Sequence, residues 1–180
     1  MLPLTFAGAG WALTNLGMAG PLGVHVGIVG VAVTLVGVYR IRWRNQTLTW
    51  TFWTTGGLLA SLLALFLPIP RMFVHLVVIA VLQTAVAVGL ATGVRECLVG
   101  GGADPSTKGV AHLPILRSII LVLFGVTLAA VTVDALVLAV PQGIFLLLSL
   151  AALAANLWLA GIVLRVRDAP SVQEHSTRST

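Results

Sequence analysis

Charge is what this sequence has least of. Asp and Glu together number five and Lys and Arg ten in 180 residues, so 8% of the chain is charged while 58% is hydrophobic, and the mean hydropathy is +1.07. A soluble domain of this length needs far more polar surface than that. The apolar runs also exceed what a soluble core helix requires, since about 20 residues cross a bilayer. Strict apolar–polar alternation is missing, which argues against a closed β-barrel and leaves the α-helical membrane class. The single cysteine, Cys97, allows no intrachain disulfide. Beside Arg95 and Glu96, just past an apolar segment, it reads as a free thiol in a reducing compartment, with lipidation at the bilayer edge as the alternative. A cleaved signal peptide normally carries positive charge ahead of its apolar run; none stands here, so residues 1–20 are expected in the mature protein.

The patterns of conventional catalysis are missing too. The chain has no His-Glu-x-x-His, no Gly-x-Ser-x-Gly and no paired carboxylates. Residues 100–109 are glycine-rich, but they lack phosphate-loop spacing and a preceding strand, and read as a flexible linker. Enzymatic activity is therefore not expected. Nucleic acid is not an expected partner either: the net charge of +5 sits between apolar segments, where it sets orientation and meets anionic headgroups.

What the sequence does contain is six apolar segments, at 2–19, 22–39, 48–67, 72–94, 119–139 and 144–164. Consecutive pairs are joined by tight turns containing Pro21, then Pro68 and Pro70, then Pro141. Proline cannot continue a helical ladder, so these residues separate spans. The longer connections, 40–47 and 95–118, alternate with the tight ones, and with the C-terminal flank they hold nine of the ten cations, all but Arg71. The expected fold is an all-α polytopic transmembrane bundle, six spans as three antiparallel hairpins, or five if residues 1–20 do not cross. Residues 1–167 would form one domain and residues 168–180 a disordered cytoplasmic tail. The positive-inside rule puts the long loops and the C-terminus in the cytoplasm of a prokaryotic plasma membrane. Trp43, Trp50, Trp53 and Trp158 then fall near the cytoplasmic boundary, where indoles prefer to sit.

Lipid tails are as apolar as leucine, so helices must associate through close packing and polar contacts. Gly23, Gly27, Gly30 and Gly37 make a small-residue path along segment two, Ala85, Gly89 and Gly93 along segment four, and Ala151, Ala152 and Ala155 along segment six. Which helices these paths join is open. Intramembrane polar groups are the natural place to look for function. His25, His75, Asp134 and Asn15 fall in the outer third of the bilayer on four helices, with Gln142 at the same end; Gln83 and Asn156 lie near the midplane.

Three readings compete for the outer group. The first is local pairing that only stabilises helix contacts. The second is a proton or ion relay with Asp134 as the acid, His25 or His75 as its partner and Asn15 beside them. The third is a metal or b-type haem site with His25 and His75 as paired imidazoles. Cys97 lies on the opposite side, which removes mixed Cys/His sites. His112 and His175 read as surface residues. The expected role is a non-enzymatic accessory or scaffold subunit or a small carrier, in contact with the bilayer and with a membrane-protein partner or further copies of itself.

Overall fold

The computed structural model describes residues 2–18, 23–67, 72–106, 108–136 and 140–166, and all of its regular structure is helical. The elements are α1 (Leu2–Met18), α2 (Gly23–Ile41), a 3-10 turn (Arg42–Arg44), α3 (Gln46–Ala64), α4 (Met72–Gly100), α5 (Lys108–Leu136) and α6 (Gln142–Val166). Each apolar segment read from the sequence is thus a helix. Among the described residues four helices are long and apolar enough to cross a membrane: Gly23–Arg44, Val74–Gly100, Gly109–Asp134 and Gln142–Val166. The Pro21, Pro68 and Pro70 turns, Arg71, His175 and the expected 168–180 tail lie outside the described residues.

The connection expected at 95–118 is mostly helix. α4 runs on to Gly100 and α5 starts at Lys108, with Pro114 inside it. Apolar spacing explains this: Val110, Leu113, Leu116 and Ile120 recur on one face and are all buried. Between the two helices the described residues 101–106 are non-helical, with Gly102 at positive φ. There Asp104 Oδ1 accepts the Ser106 backbone N–H at 2.8 Å, a bond that holds the carboxyl below its ordinary range. At 29 residues each, α4 and α5 extend about 43 Å, beyond the ~30 Å hydrocarbon core.

Each helix packs on the next, and α6 returns to α1, so the bundle closes as a ring. Its tightest seam joins α1 to α2. Across it Ala7 faces Gly37, Gly10 faces Thr34, Thr14 faces Gly30 and Gly17 faces Gly27, an antiparallel register of small residues at three- and four-residue steps. A Cβ on Gly10 or Gly30 would fall on the backbone nitrogen of Thr34 or Thr14, and one on Gly37 would fall on that of Ala7. The Thr14 and Thr34 hydroxyls each donate to the carbonyl four residues back, Gly10 O and Gly30 O, both at 2.9 Å, so the seam leaves no hydroxyl unsatisfied. On its other side α1 meets α6, where Gly8 approaches Leu164 and the Ala160 carbonyl.

The Gly89 and Gly93 stripe of α4 receives Thr51 and Leu48 of α3. At that end Asn45 caps α3: its Oδ1 accepts from Leu48 N at 2.7 Å, and its Nδ2 donates to Gly93 O at 3.0 Å. In α6 Ala155 is buried while Ala151 is exposed, so the contact face there continues through Leu159, Ala160 and Val163 instead.

Gly10→Val and Gly30→Val should each destabilise the protein by about 3 kcal/mol or more, because backbone faces backbone and no side chain can move aside. Gly56→Ala, where nothing lies within 4 Å, should be neutral or stabilise by up to about 1 kcal/mol. Unfolding by graded denaturing detergent, followed by circular dichroism, reads both. Asn45→Ala in the same assay should cost about 1 kcal/mol through loss of the cap.

Candidate functional site

α5 and α6 join the ring by one half only. No described residue of α5 beyond Ile120, and none of α6 before Ala155, is buried. The end of this hairpin nearest Val140 therefore stands away from α1 and α4 and leaves a cleft of about 500 Å³. Aliphatic and aromatic groups make up much of its wall, among them Ile120, Leu123, Phe124 and Leu153. The rest is amide and hydroxyl: Asn15, Gln83, Thr84, Thr127, Ser149 and Asn156. Among the described residues no lining side chain is ionisable.

The amides are set by a network spanning three helices. Trp11 on α1 is buried and donates Nε1–H to Asn156 Oδ1 on α6 at 3.1 Å. Asn156 in turn donates Nδ2–H to Ala152 O at 2.8 Å. One turn along α1, Asn15 donates to Trp11 O at 2.8 Å and accepts from Gln83 Nε2 on α4 at 3.0 Å. The Thr84 and Thr127 hydroxyls donate to their own helices, at Ala80 O and Leu123 O. The Gln83 carbonyl oxygen and the Ser149 hydroxyl have no partner in the described chain and are not sealed from the cleft. They are one acceptor and one donor-acceptor offered to whatever enters.

The four outer residues singled out from the sequence are not drawn into one site. Asn15 joins the mid-depth amides through Gln83. His25, exposed on α2, stacks on Phe66 with ring centroids 5.4 Å apart. His75 on α4 places Nε2 2.7 Å from Ser61 O of α3. The two imidazoles thus come from α2 and α4, one against Phe66 just past the end of α3 and the other against Ser61 O within it. Asp134 is exposed, and its Oδ1 accepts Val140 N–H at 2.8 Å, a bond from the end of α5 to a residue just ahead of α6. α2 and α5 are not packing neighbours. Among the described residues no group of three or more His, Cys, Asp and Glu side chains is placed to hold a metal ion. Gln142 opens α6, beyond the cleft lining.

Position along the apolar runs marks Gln83 and Asn156 as mid-depth polar groups, whereas Trp11, Thr84, Thr127 and Ser149 do not stand out individually. A signal existed. Ala80, Gln83, Thr84 and Ala87 share one helical face, as do Ser149, Ala152 and Asn156, and such small or polar faces stand out in otherwise aliphatic helices. Compared with known protein families, curated proteins and solved structures, the chain matches none.

The Trp11–Asn156 bond is open to a double-mutant cycle. Trp11→Phe and Asn156→Leu should show a coupling of about 0.6 kcal/mol, and at most about 1.7, in detergent unfolding, the range for buried interhelical bonds in membranes.

Proposed function

We propose that this chain is a six-span integral membrane protein, with its Asn45 end in the cytoplasm of a prokaryotic cell, and that its cleft accepts a neutral amphipathic molecule from the bilayer. It would serve as a small carrier or as the lipid-binding subunit of a larger assembly. The observation that carries this reading is a cleft walled by apolar groups and by amides and hydroxyls, without any charge. Its volume lies in the range of small-molecule sites, about 300–1,000 Å³. An ion entering it would lose water without meeting a counter-charge, a cost of several kcal/mol. A carbonyl- or hydroxyl-bearing head could bond Gln83 and Ser149 while its chain lies against Leu123, Phe124 and Leu153.

Six spans are supported by packing. α1 has 17 residues, about 26 Å, and pairs with α2 from Ala7·Gly37 to Gly17·Gly27, so it crosses wherever α2 crosses. α3 stands to α4 in the same relation, Leu48 against Gly93 and Thr51 against Gly89. Exposed Leu121, Val122, Leu146 and Leu147, between 47% and 68% accessible, suit contact with lipid tails. The cations of the 3-10 turn and the exposed Trp43, Trp50 and Trp53 gather at the Asn45 end, which fits the inner leaflet.

A diazirine-bearing long-chain alcohol, photolysed with the reconstituted protein, should label the α5 and α6 faces that carry Phe124 and Leu153. Ser149→Trp, which fills the mouth, should cut that labelling several-fold, and Gln83→Leu should weaken it without unfolding the bundle. Equal labelling in Ser149→Trp, or labels spread evenly over the lipid-exposed surface, would sink the cleft as a ligand site.

A further inference from the structure

The far end of the bundle carries a second arrangement, independent of what fills the cleft. Arg40, Arg42 and Arg44 lie within five positions where α2 passes through the 3-10 turn into α3. None of them makes an ion pair or a side-chain hydrogen bond among the described residues. Arg42 is the most confined. Its guanidinium carbon lies over three rings, 4.1 Å from the Tyr39 centroid, 4.2 Å from Trp43 and 4.7 Å from Phe52.

Two of these rings come from the same chain corner and the third from α3, and Thr49 locks the corner by donating to Arg42 O at 2.9 Å. Nε of Arg42 is buried without an acceptor. The terminal nitrogens are the donors left to face outward, in a fork whose geometry suits two oxygens of one phosphate. Rings packed about the guanidinium hold that fork in place, so little rotamer freedom is lost when it binds.

We infer that the Arg42 cage, with exposed Arg40 and Arg44 beside it, is a binding site for the phosphate of an anionic phospholipid headgroup. The class of ligand follows from three cations with no carboxylate partner among the described residues and from a guanidinium that is held in place but unsatisfied. The bilayer as its source follows from the surroundings. Trp43, itself a ring of the cage, is 78% exposed, Trp53 packs edge-on against the cage's Phe52 and is 64% exposed, and Trp50 on the same helix is 64% exposed; exposed indoles of this kind suit headgroup depth.

The test is native mass spectrometry of the full-length protein released from micelles containing equal amounts of phosphatidylglycerol and phosphatidylcholine with matched acyl chains. The parent should retain phosphatidylglycerol in preference. Arg42→Gln should lower that preference roughly tenfold and Arg42→Lys, which keeps the charge but not the fork, roughly threefold. Arg165→Gln, a basic residue elsewhere, should leave it within experimental scatter. Excess inorganic phosphate should not displace the lipid; displacement would make free phosphate the ligand and overturn the lipid assignment. A preference that survives Arg42→Gln, or falls equally in Arg165→Gln, would reduce the site to general surface charge. Should Arg42→Gln fail to fold, an unchanged preference in Arg42→Lys overturns the inference on its own.

Discussion

The architecture depends on how closely α1 and α2 approach. In a bilayer, burial of apolar surface gives no net drive for helix association, so the helices must gain from dispersion and polar contact at short range. The Ala7–Gly17 and Gly27–Gly37 faces meet that requirement by removing side chains wherever the two backbones meet. α1 is the shortest α-helix described and, like α3, falls outside the four that are long and apolar enough to cross a membrane, yet it has the most intimate packing among the described residues. Once it is locked to α2, its adjacent face brings Gly8 against α6 and points Trp11 and Asn15 inward. The ring closes around α1, and the amide network exists because α1 is held there.

The same constraint accounts for the cleft. α5 has no comparable small-residue path, and its buried positions end at Ile120. The hairpin it forms with α6 is anchored where Leu113, Leu116, Leu159 and Val163 pack, and toward Val140 it has nothing with which to close the gap. The resulting space is floored by groups already committed to one another, Trp11 with Asn156 and Asn15 with Gln83. A prearranged polar floor beneath apolar walls orients a neutral guest at little cost in ordering. The two ends of the bundle thereby differ in character: one is clamped by Asn45, Thr49 and the Arg42 rings, the other is splayed.

Much of the helical plan was legible in the residues. Runs such as 72–94 and 144–164 have only one reading by length and polarity, and the glycine paths marked the faces that would be contacts. The 95–118 connection reads as a loop from its glycines and cations, yet most of it is helical; the Val110, Leu113, Leu116 spacing that makes it so is short and lies beside Pro114. Of the candidate site residues, Asn15, Gln83 and Asn156 meet or share one cleft. His25, His75 and Asp134 each settle with a local partner, Phe66, Ser61 O and Val140 N respectively. Depth along a helix follows from counting residues; direction around the bundle does not.

That difference separates the two levels. Composition and run length by themselves determine that the chain has helices long and apolar enough to cross a bilayer, because transfer of apolar side chains and backbone hydrogen bonding are local quantities, summed residue by residue. Which glycine faces which helix, whether Asn15 belongs with Gln83 or with the histidines, and which arginine is enclosed by rings were decided only in three dimensions. Each of those outcomes rests on pairs far apart in the chain, such as Trp11 with Asn156, whose meeting is selected by the fit of whole helix surfaces.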